Sequence, residues 1–120
     1  MKDALKRWID LVSVQDIEGV VDLYSNDGLL LGTFSDEIRV GKDKIRDYFE
    51  FFLAKKPKAL LVDSIMHIID DNSCTFNGFY DFEVDGLNGK RKLAHARFTF
   101  VFKKQDSGVK ILSHHSSVMP

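Results

Sequence analysis

The chain ends in ILSHHSSVMP, where two adjacent histidines and two adjacent serines offer groups for acid–base, nucleophilic or metal chemistry. Neighbouring side chains on a β-strand point to opposite faces, so His114 and His115 are not expected to bind one metal ion together. We expect His115 to point inward, on the face that it shares with Ser117; a hydrogen-bonded histidine at a sheet interface is the alternative. A Ser–His–Asp hydrolase needs an exposed nucleophile, which Ser116 and Ser117 within a strand do not provide.

Two further polar side chains interrupt apolar strand patterns. Arg97 lies in LAHARFTFVF, where an arginine is either exposed on the outer face or buried and paired. If it is buried, its guanidinium offers fixed donors for a carboxylate. Tyr80 in GFYDF has a hydroxyl that can reach into a cavity, and a core aromatic residue with a satisfied hydroxyl is the alternative. We interpret Arg39 as structural, near the start of the third helix.

The elements that position these residues follow from the spacing of apolar side chains. Helical spacing covers 3–14, resumes after Asp16 as an N-cap, and covers 42–55. Strand patterns cover five segments: 29–34, 58–70, 73–85, 91–104 and 109–118. We therefore predict an α+β fold, a cone-shaped roll in which three N-terminal helices pack in a strongly curved, mainly antiparallel sheet. The open end of such a cone is a typical ligand pocket.

Composition limits the function classes. A chain of 120 residues is expected to form a single domain, 1–120. With 17 basic and 18 acidic residues it lacks the excess positive charge that nucleic-acid binding requires, and the runs KKPK (55–58) and KRK (90–92) read as solvated charge. The single cysteine, Cys74, excludes an internal disulfide, and we expect no metal and no cofactor. No segment reads as a secretory signal or a membrane span, so we expect a cytoplasmic protein with no membrane partner.

Three segments carry a resemblance to known families. YSNDGLLLGTFSDEIRVGKDKIRDYF (24–49) resembles the signature of the nuclear transport factor 2-like, or SnoaL-like, superfamily, which has a cystatin-like fold. Residues 66–86 and 99–120 resemble the calcium/calmodulin-dependent protein kinase II association domain and its bacterial stand-alone SgcJ/EcaC-type relatives. That family ends in a strand with His-x-Ser and a nearby proline, which here are His115, Ser117 and Pro120.

The resemblance implies an association and binding module. Such domains dimerise through the sheet, and in the kinase the dimers stack into rings, so we expect a homodimer or a larger ring. The family's pocket contains arginine, which favours an inward Arg97 that holds a small, anionic ligand with help from His115, Tyr80 and Ser117. A chain of 120 residues is too short for a kinase domain, so no kinase activity is expected.

Catalysis is the alternative function. The ketosteroid isomerase type of this fold needs a carboxylate base in the cavity, and that position aligns with Gly32 here. Glycine cannot abstract a proton, so this reaction is not expected. A SnoaL-like isomerase, cyclase or hydratase that uses His115 as general acid and base remains the other hypothesis. We favour the module that binds and oligomerises without catalysis.

Overall fold

A computed structural model describes all residues from Met1 to Pro120. Helices come first, apart from two strands, and four long strands follow. The elements are α1 (Ala4–Ser13), α2 (Ile17–Asp22), β1 (Tyr24–Leu31), β2 (Ile38–Val40), α3 (Lys42–Leu53), β3 (Lys58–Asp70), β4 (Ser73–Asp85), β5 (Arg91–Gln105) and β6 (Gly108–Val118). No helix is long and apolar enough to cross a membrane.

The strands form one mixed sheet in the order β2-β1-β6-β5-β4-β3. The pairs β3–β4, β4–β5 and β5–β6 are antiparallel, as is β1–β2, whereas β1 runs parallel to β6. The parallel pair brings the end of the first strand beside the end of the last one, with Leu30 opposite His114. The predicted α+β fold, with three helices packed in a curved and mainly antiparallel sheet, is confirmed.

The first strand starts earlier than the sequence predicts. The segment SNDG (25–28) reads as a turn, yet it lies within β1, and the register against β6 shifts between Tyr24 and Leu29. Tyr24 is fully buried, and its burial holds the chain in the sheet through the irregular stretch. A core contact thus outweighs local turn propensity here.

The helices bury one face each. In α1 the buried residues Leu5, Trp8, Ile9 and Val12 recur at helical spacing, which gives the helix a continuous apolar stripe. Asp16 caps α2, as predicted: its carboxylate accepts a hydrogen bond of 2.9 Å from the backbone N–H of Gly19.

The concave face of the sheet and the helices enclose an aromatic core. On β5 the side chains of Phe98, Phe100 and Phe102 are buried, while the alternate residues point away from the helices. The indole of Trp8 stacks on the ring of Tyr80 with centroids 5.6 Å apart. Rings from both layers therefore interdigitate, which fills the cone rather than leaving it hollow.

Gly78 on β4 lies next to the point at which β3 bulges. A Cβ atom there would lie 2.0 Å from the backbone oxygen of Asp63, beside the register shift between Leu61 and Asp63. Because the obstacle is backbone, no side-chain rotation relieves the clash.

Gly78→Ala is therefore expected to lower the free energy of unfolding by about 1–3 kcal/mol, since the strand pair must shift to admit one methyl group. Urea denaturation measures this. On the same strand pair His67→Ala changes an exposed side chain and should stay within about 0.5 kcal/mol. Equal effects of the two substitutions would contradict the proposed clash.

Candidate functional site

A chain of polar side chains crosses the aromatic core, with His114 at its centre. The hydroxyl of Tyr24 lies 2.8 Å from Nδ1 of His114, and the hydroxyl of Tyr80 lies 3.2 Å from Nε2. Tyr80 in turn donates to Oγ of Ser116 at 2.6 Å. The imidazole stacks on the ring of Phe100, with centroids 3.8 Å apart. We call these hydrogen-bonded residues the core network; they are Tyr24, His114, Tyr80 and Ser116.

The directions of the hydrogen bonds assign one tautomer to His114. Because Tyr80 donates its only proton to Ser116, its oxygen accepts from His114, so the ring proton is on Nε2. Nδ1 then accepts the proton of Tyr24, whose oxygen accepts from Nε1 of Trp8 at 3.1 Å. Every polar atom of the imidazole is thus satisfied in the neutral form.

Burial keeps the core network uncharged. It lowers the pKa of His114 well below its ordinary value, with a smaller contribution in the same direction from His115. It also raises the pKa of the phenols of Tyr24 and Tyr80 well above the usual range. At neutral pH the network holds no net charge.

The rim of the cone is closed by Tyr48. Its hydroxyl donates to the backbone oxygen of Thr33 at 2.7 Å, and the Thr33 hydroxyl is hydrogen bonded to that of Ser116. The ring lies so close to Gly32 that a Cβ there would be 2.4 Å from Cε1 of Tyr48. Gly32 is therefore required by the packing of Tyr48, and a carboxylate at this position would collide with the ring.

Arg39 has the structural role expected from the sequence. Its guanidinium donates to Oε2 of Glu37 at 2.9 Å and to the backbone oxygen of Lys44 at 3.3 Å. It also lies over the ring of Tyr48, with Cζ 5.7 Å from the centroid. These contacts tie β2 to the start of α3.

The inward orientation predicted for His115 is wrong. His115 is exposed on the outer face of the sheet, and His114 is buried in its place. Ser117 shares the outer face, whereas Ser116 points inward. The reason is the register: His114 lies opposite Leu30 on one side and Phe100 on the other, and both belong to the core.

The inward orientation of Arg97 is wrong as well. Arg97 lies between the buried Ala96 and Phe98, so its side chain is exposed on the outer face. There its Nε donates to Oγ of Ser117 at 3.3 Å. Tyr80 points into the cone, as expected, but it is separated from Arg97 by the sheet. Of the four residues predicted as one ligand site, Arg97, His115 and Ser117 share the outer face, and Tyr80 lies apart from them in the interior.

Sequence reasoning missed four residues of the interior: Tyr24, Thr33, His114 and Ser116. The register at the tight turn, with Gln105 opposite Gly108, would place His115 opposite Phe98 and so direct His115 inward. A register shift between Val101 and Phe102 instead pairs Phe98 with Ser116 and Phe100 with His114, which reverses the two faces of β6. The alternation of β5 does not reveal this bulge, so the sequence alone assigns the wrong face. The His-x-Ser motif of the family matches His115 in sequence, but it does not indicate on which face of β6 the side chain lies.

A depression of about 700 Å³ lies outside the rim. Its lining includes Gly32, Phe34, Glu37, His115 and Ser117. His115 and Ser117 therefore face an open surface site and not the cone interior. No group of three histidine, cysteine or carboxylate side chains is placed to hold a metal ion.

The sequence model of the calcium/calmodulin dependent protein kinase II association domain matches residues 1–120. A similar solved structure, from Xanthomonas campestris, is assigned to the same association domain. It is 39% identical with a TM-score of 0.93, and the match covers 99% of this chain and 85% of that chain. None of the curated proteins matches the chain.

Two more distant structures share the fold alone. One is a nuclear transport factor 2-like protein with a cystatin-like fold from Novosphingobium aromaticivorans (12% identity, TM-score 0.79, 98% of this chain and 78% of that chain). The other is a ketosteroid isomerase-like protein from Erwinia carotovora atroseptica (14% identity, TM-score 0.81, 99% of this chain and 93% of that chain). The resemblances drawn from the sequence are confirmed.

The neutral state of His114 predicts acid sensitivity. Its pKa is lower in the folded chain than the ordinary value of about 6.5, so below that pH the unfolded chain binds more protons. The neutral imidazole of His114 makes its full contribution to the free energy of unfolding above about pH 6.5. Below that pH this contribution falls by up to about 1.4 kcal/mol per pH unit, until the pH reaches the pKa of His114 in the folded chain.

Urea denaturation at pH 7.5 and pH 5 tests this with His114→Gln. The variant should be less stable at pH 7.5, because the core network loses its centre, yet lose less stability between the two pH values than the unsubstituted chain. His115→Gln removes only the smaller contribution to the lowered pKa of His114, so it should lose nearly as much stability as the unsubstituted chain. The prediction fails if His114→Gln retains the full pH dependence.

Proposed function

Because the chain belongs to the calcium/calmodulin dependent protein kinase II association domain family, we propose that it is a self-associating module that pairs through the outer face of its sheet. The family name supports association in general. The surface of this chain supports the choice of face.

The observation that carries the proposal is an apolar patch on the outer face of β3, β4 and β5. Leu60 and Ile65 are each 62% exposed, Leu93 is 53% exposed and Phe79 is 44% exposed. The register against β4 and β5 puts all four on the face away from the helices. Four large apolar side chains exposed on one face of a sheet indicate an interaction surface.

Polar side chains alternate with these apolar ones on the same face, since Asp81 lies opposite Leu60 and Arg97 lies opposite Phe79. Nδ1 of His95 is 2.7 Å from Oδ1 of Asp81, and Arg97 donates to Ser117. A mixture of apolar side chains and hydrogen-bonded polar groups is typical of protein interfaces. The commonest closed symmetry is a two-fold dimer. A two-fold axis through this face would bring the Phe79 side chains of the two copies close together.

Ligand binding is the second part of the proposal. We infer that a small ligand binds in the depression outside the rim, where His115 and Ser117 are lining residues. Arg97 lies beside Ser117 and supplies the charge for an anion. Tyr80 belongs to the closed core network, so we assign it no contact with this ligand.

The alternative of a SnoaL-like enzyme gains no specific support. A general acid or base is oriented by hydrogen bonds within reach of a substrate, and no hydrogen bond orients the side chain of His115. His114 is oriented but closed off from solvent.

Light scattering at micromolar concentration tests the association. The chain has a mass of 13.7 kDa, so we expect at least twice that mass, and many times that mass if dimers form a ring. The double substitution Ile65→Asp, Phe79→Asp should give the monomer mass with unchanged circular dichroism, because buried carboxylates oppose the contact.

Val14→Asp is the matched control. Val14 is also an exposed aliphatic side chain, but it lies at the end of α1, away from the apolar patch, so its substitution should leave the mass unchanged. A monomer mass for the unsubstituted chain, or a mass unaffected by the double substitution, would contradict the proposal.

A further inference from the structure

Two short basic segments that are far apart in the sequence, KKPK (55–58) and KRK (90–92), meet at one end of the molecule. Asp85 donates its backbone N–H to the oxygen of Lys55 at 2.8 Å, and the Arg91 guanidinium donates to the oxygen of Lys56 at 2.8 Å. The first segment connects α3 to β3, and the second follows the turn between β4 and β5. The fold thus joins two runs that the sequence alone reads as separate solvated charge.

Arg91 acts as the connector between the segments. Besides its bond to Lys56, it donates to Oδ1 of Asp85 at 3.0 Å and to the backbone oxygen of Glu83 at 3.0 Å. Its own charge is therefore paired within the chain. The positive charge that remains on this surface belongs to lysines.

These lysines have no acidic partner. Their ammonium groups have no carboxylate oxygen within 4 Å, whereas Lys6, Lys42 and Lys110 each pair with an aspartate. We call the set the basic end; it consists of Lys55, Lys56, Lys58, Lys90 and Lys92. Five lysines and the internally paired Arg91 lie here against two carboxylates, those of Glu83 and Asp85, and this excess of positive charge favours an anionic partner.

An apolar groove of about 520 Å³ lies at the basic end, between the end of α3 and the β4–β5 turn. Val84 is buried, while Phe51 and Leu87 are exposed along the groove. Lys55 and Lys92 also line the groove, together with Asp85, whose carboxylate is paired with Arg91. The Lys55 ammonium is 5.1 Å from the centroid of the Phe51 ring. Apolar and cationic groups thus face the same space.

We propose that this end is a docking site for an acidic peptide segment that carries an aromatic or aliphatic side chain. The apolar side chain would enter the groove beside Phe51 and Leu87, and flanking carboxylates would pair with Lys90 and Lys92. Charge complementarity and a recess of side-chain dimensions support this occupant. The groove includes no residue of the apolar patch that we assign to self-association; of the basic end, Lys58 borders that patch, beside Leu60 and Leu93.

A peptide fits better than an anionic bilayer. Glu83 and Asp85 lie among the lysines, and a continuous plane of negative charge would meet them as well. A peptide can place its carboxylates so as to avoid these two residues. Leu87 is the single protruding apolar side chain of the turn, and one weak anchor does not give stable membrane binding.

Fluorescence anisotropy tests the proposal with a fluorescein-labelled oligoglutamate peptide that contains one phenylalanine. The companion peptide has serine in place of phenylalanine, and phosphatidylserine vesicles serve as the competing partner. We expect binding that weakens with salt, at least about five-fold tighter for the phenylalanine peptide. Vesicles should not compete.

The double substitution Lys90→Glu, Lys92→Glu should weaken binding about ten-fold or more, since two attractions become repulsions. Lys103→Glu, Lys104→Glu is the matched control, because it changes the same charge at the opposite end of β5 and should alter affinity less than about two-fold. Leu87→Ser should weaken binding of the phenylalanine peptide and not of the serine peptide.

Several results would overturn the docking site. They are absence of salt-dependent binding, equal loss in the two charge-reversal variants, equal affinity for the two peptides, or displacement of the peptide by vesicles. Light scattering of each variant separates this outcome from self-association, because neither charge-reversal pair includes a residue of the apolar patch.

Discussion

The hydrogen bonds of one buried imidazole connect the layers of this molecule. His114 on β6 is bonded to Tyr24 on β1 and to Tyr80 on β4, and Tyr24 is bonded to Trp8 on α1. A polar ring in an aromatic core is costly unless both nitrogens are satisfied, so the three strands and the helix must keep their relative positions. Packing around the network, in turn, keeps the imidazole neutral.

The same constraint determines what faces solvent. Once the imidazole of His114 points inward, strand alternation directs His115 and Ser117 outward, and the pairing with β5 directs Arg97 outward too. The residue types that suggested a cone pocket are thereby moved to the surface. Only Tyr80 of the predicted set remains in the interior, where its hydroxyl is already occupied by Ser116.

Local pattern was enough to predict the fold but not the site. The segments 58–70 and 73–85 are strands over the predicted residues, because period-2 alternation and turn residues are local signals. The direction of a strand's two faces depends on which face meets the helices, and this is a tertiary property. The contact between Arg91 and Lys56 is likewise a result of the tertiary fold. Neither basic run contains a local pattern that predicts it.

A filled cone changes where function can reside on this fold. The ring of Tyr48 leaves no space for a side chain at Gly32, the position that the sequence aligns with the base of the ketosteroid isomerase type. The rings of Trp8, Tyr80 and Phe100 pack together in the interior. Structures that are 12% and 14% identical share the architecture, and a shared architecture does not carry an activity with it. The interior is filled by packed side chains, so the binding sites that we propose lie on the outer sheet face, at the rim and at the basic end. All three lie on surfaces that a second molecule can reach without opening the core.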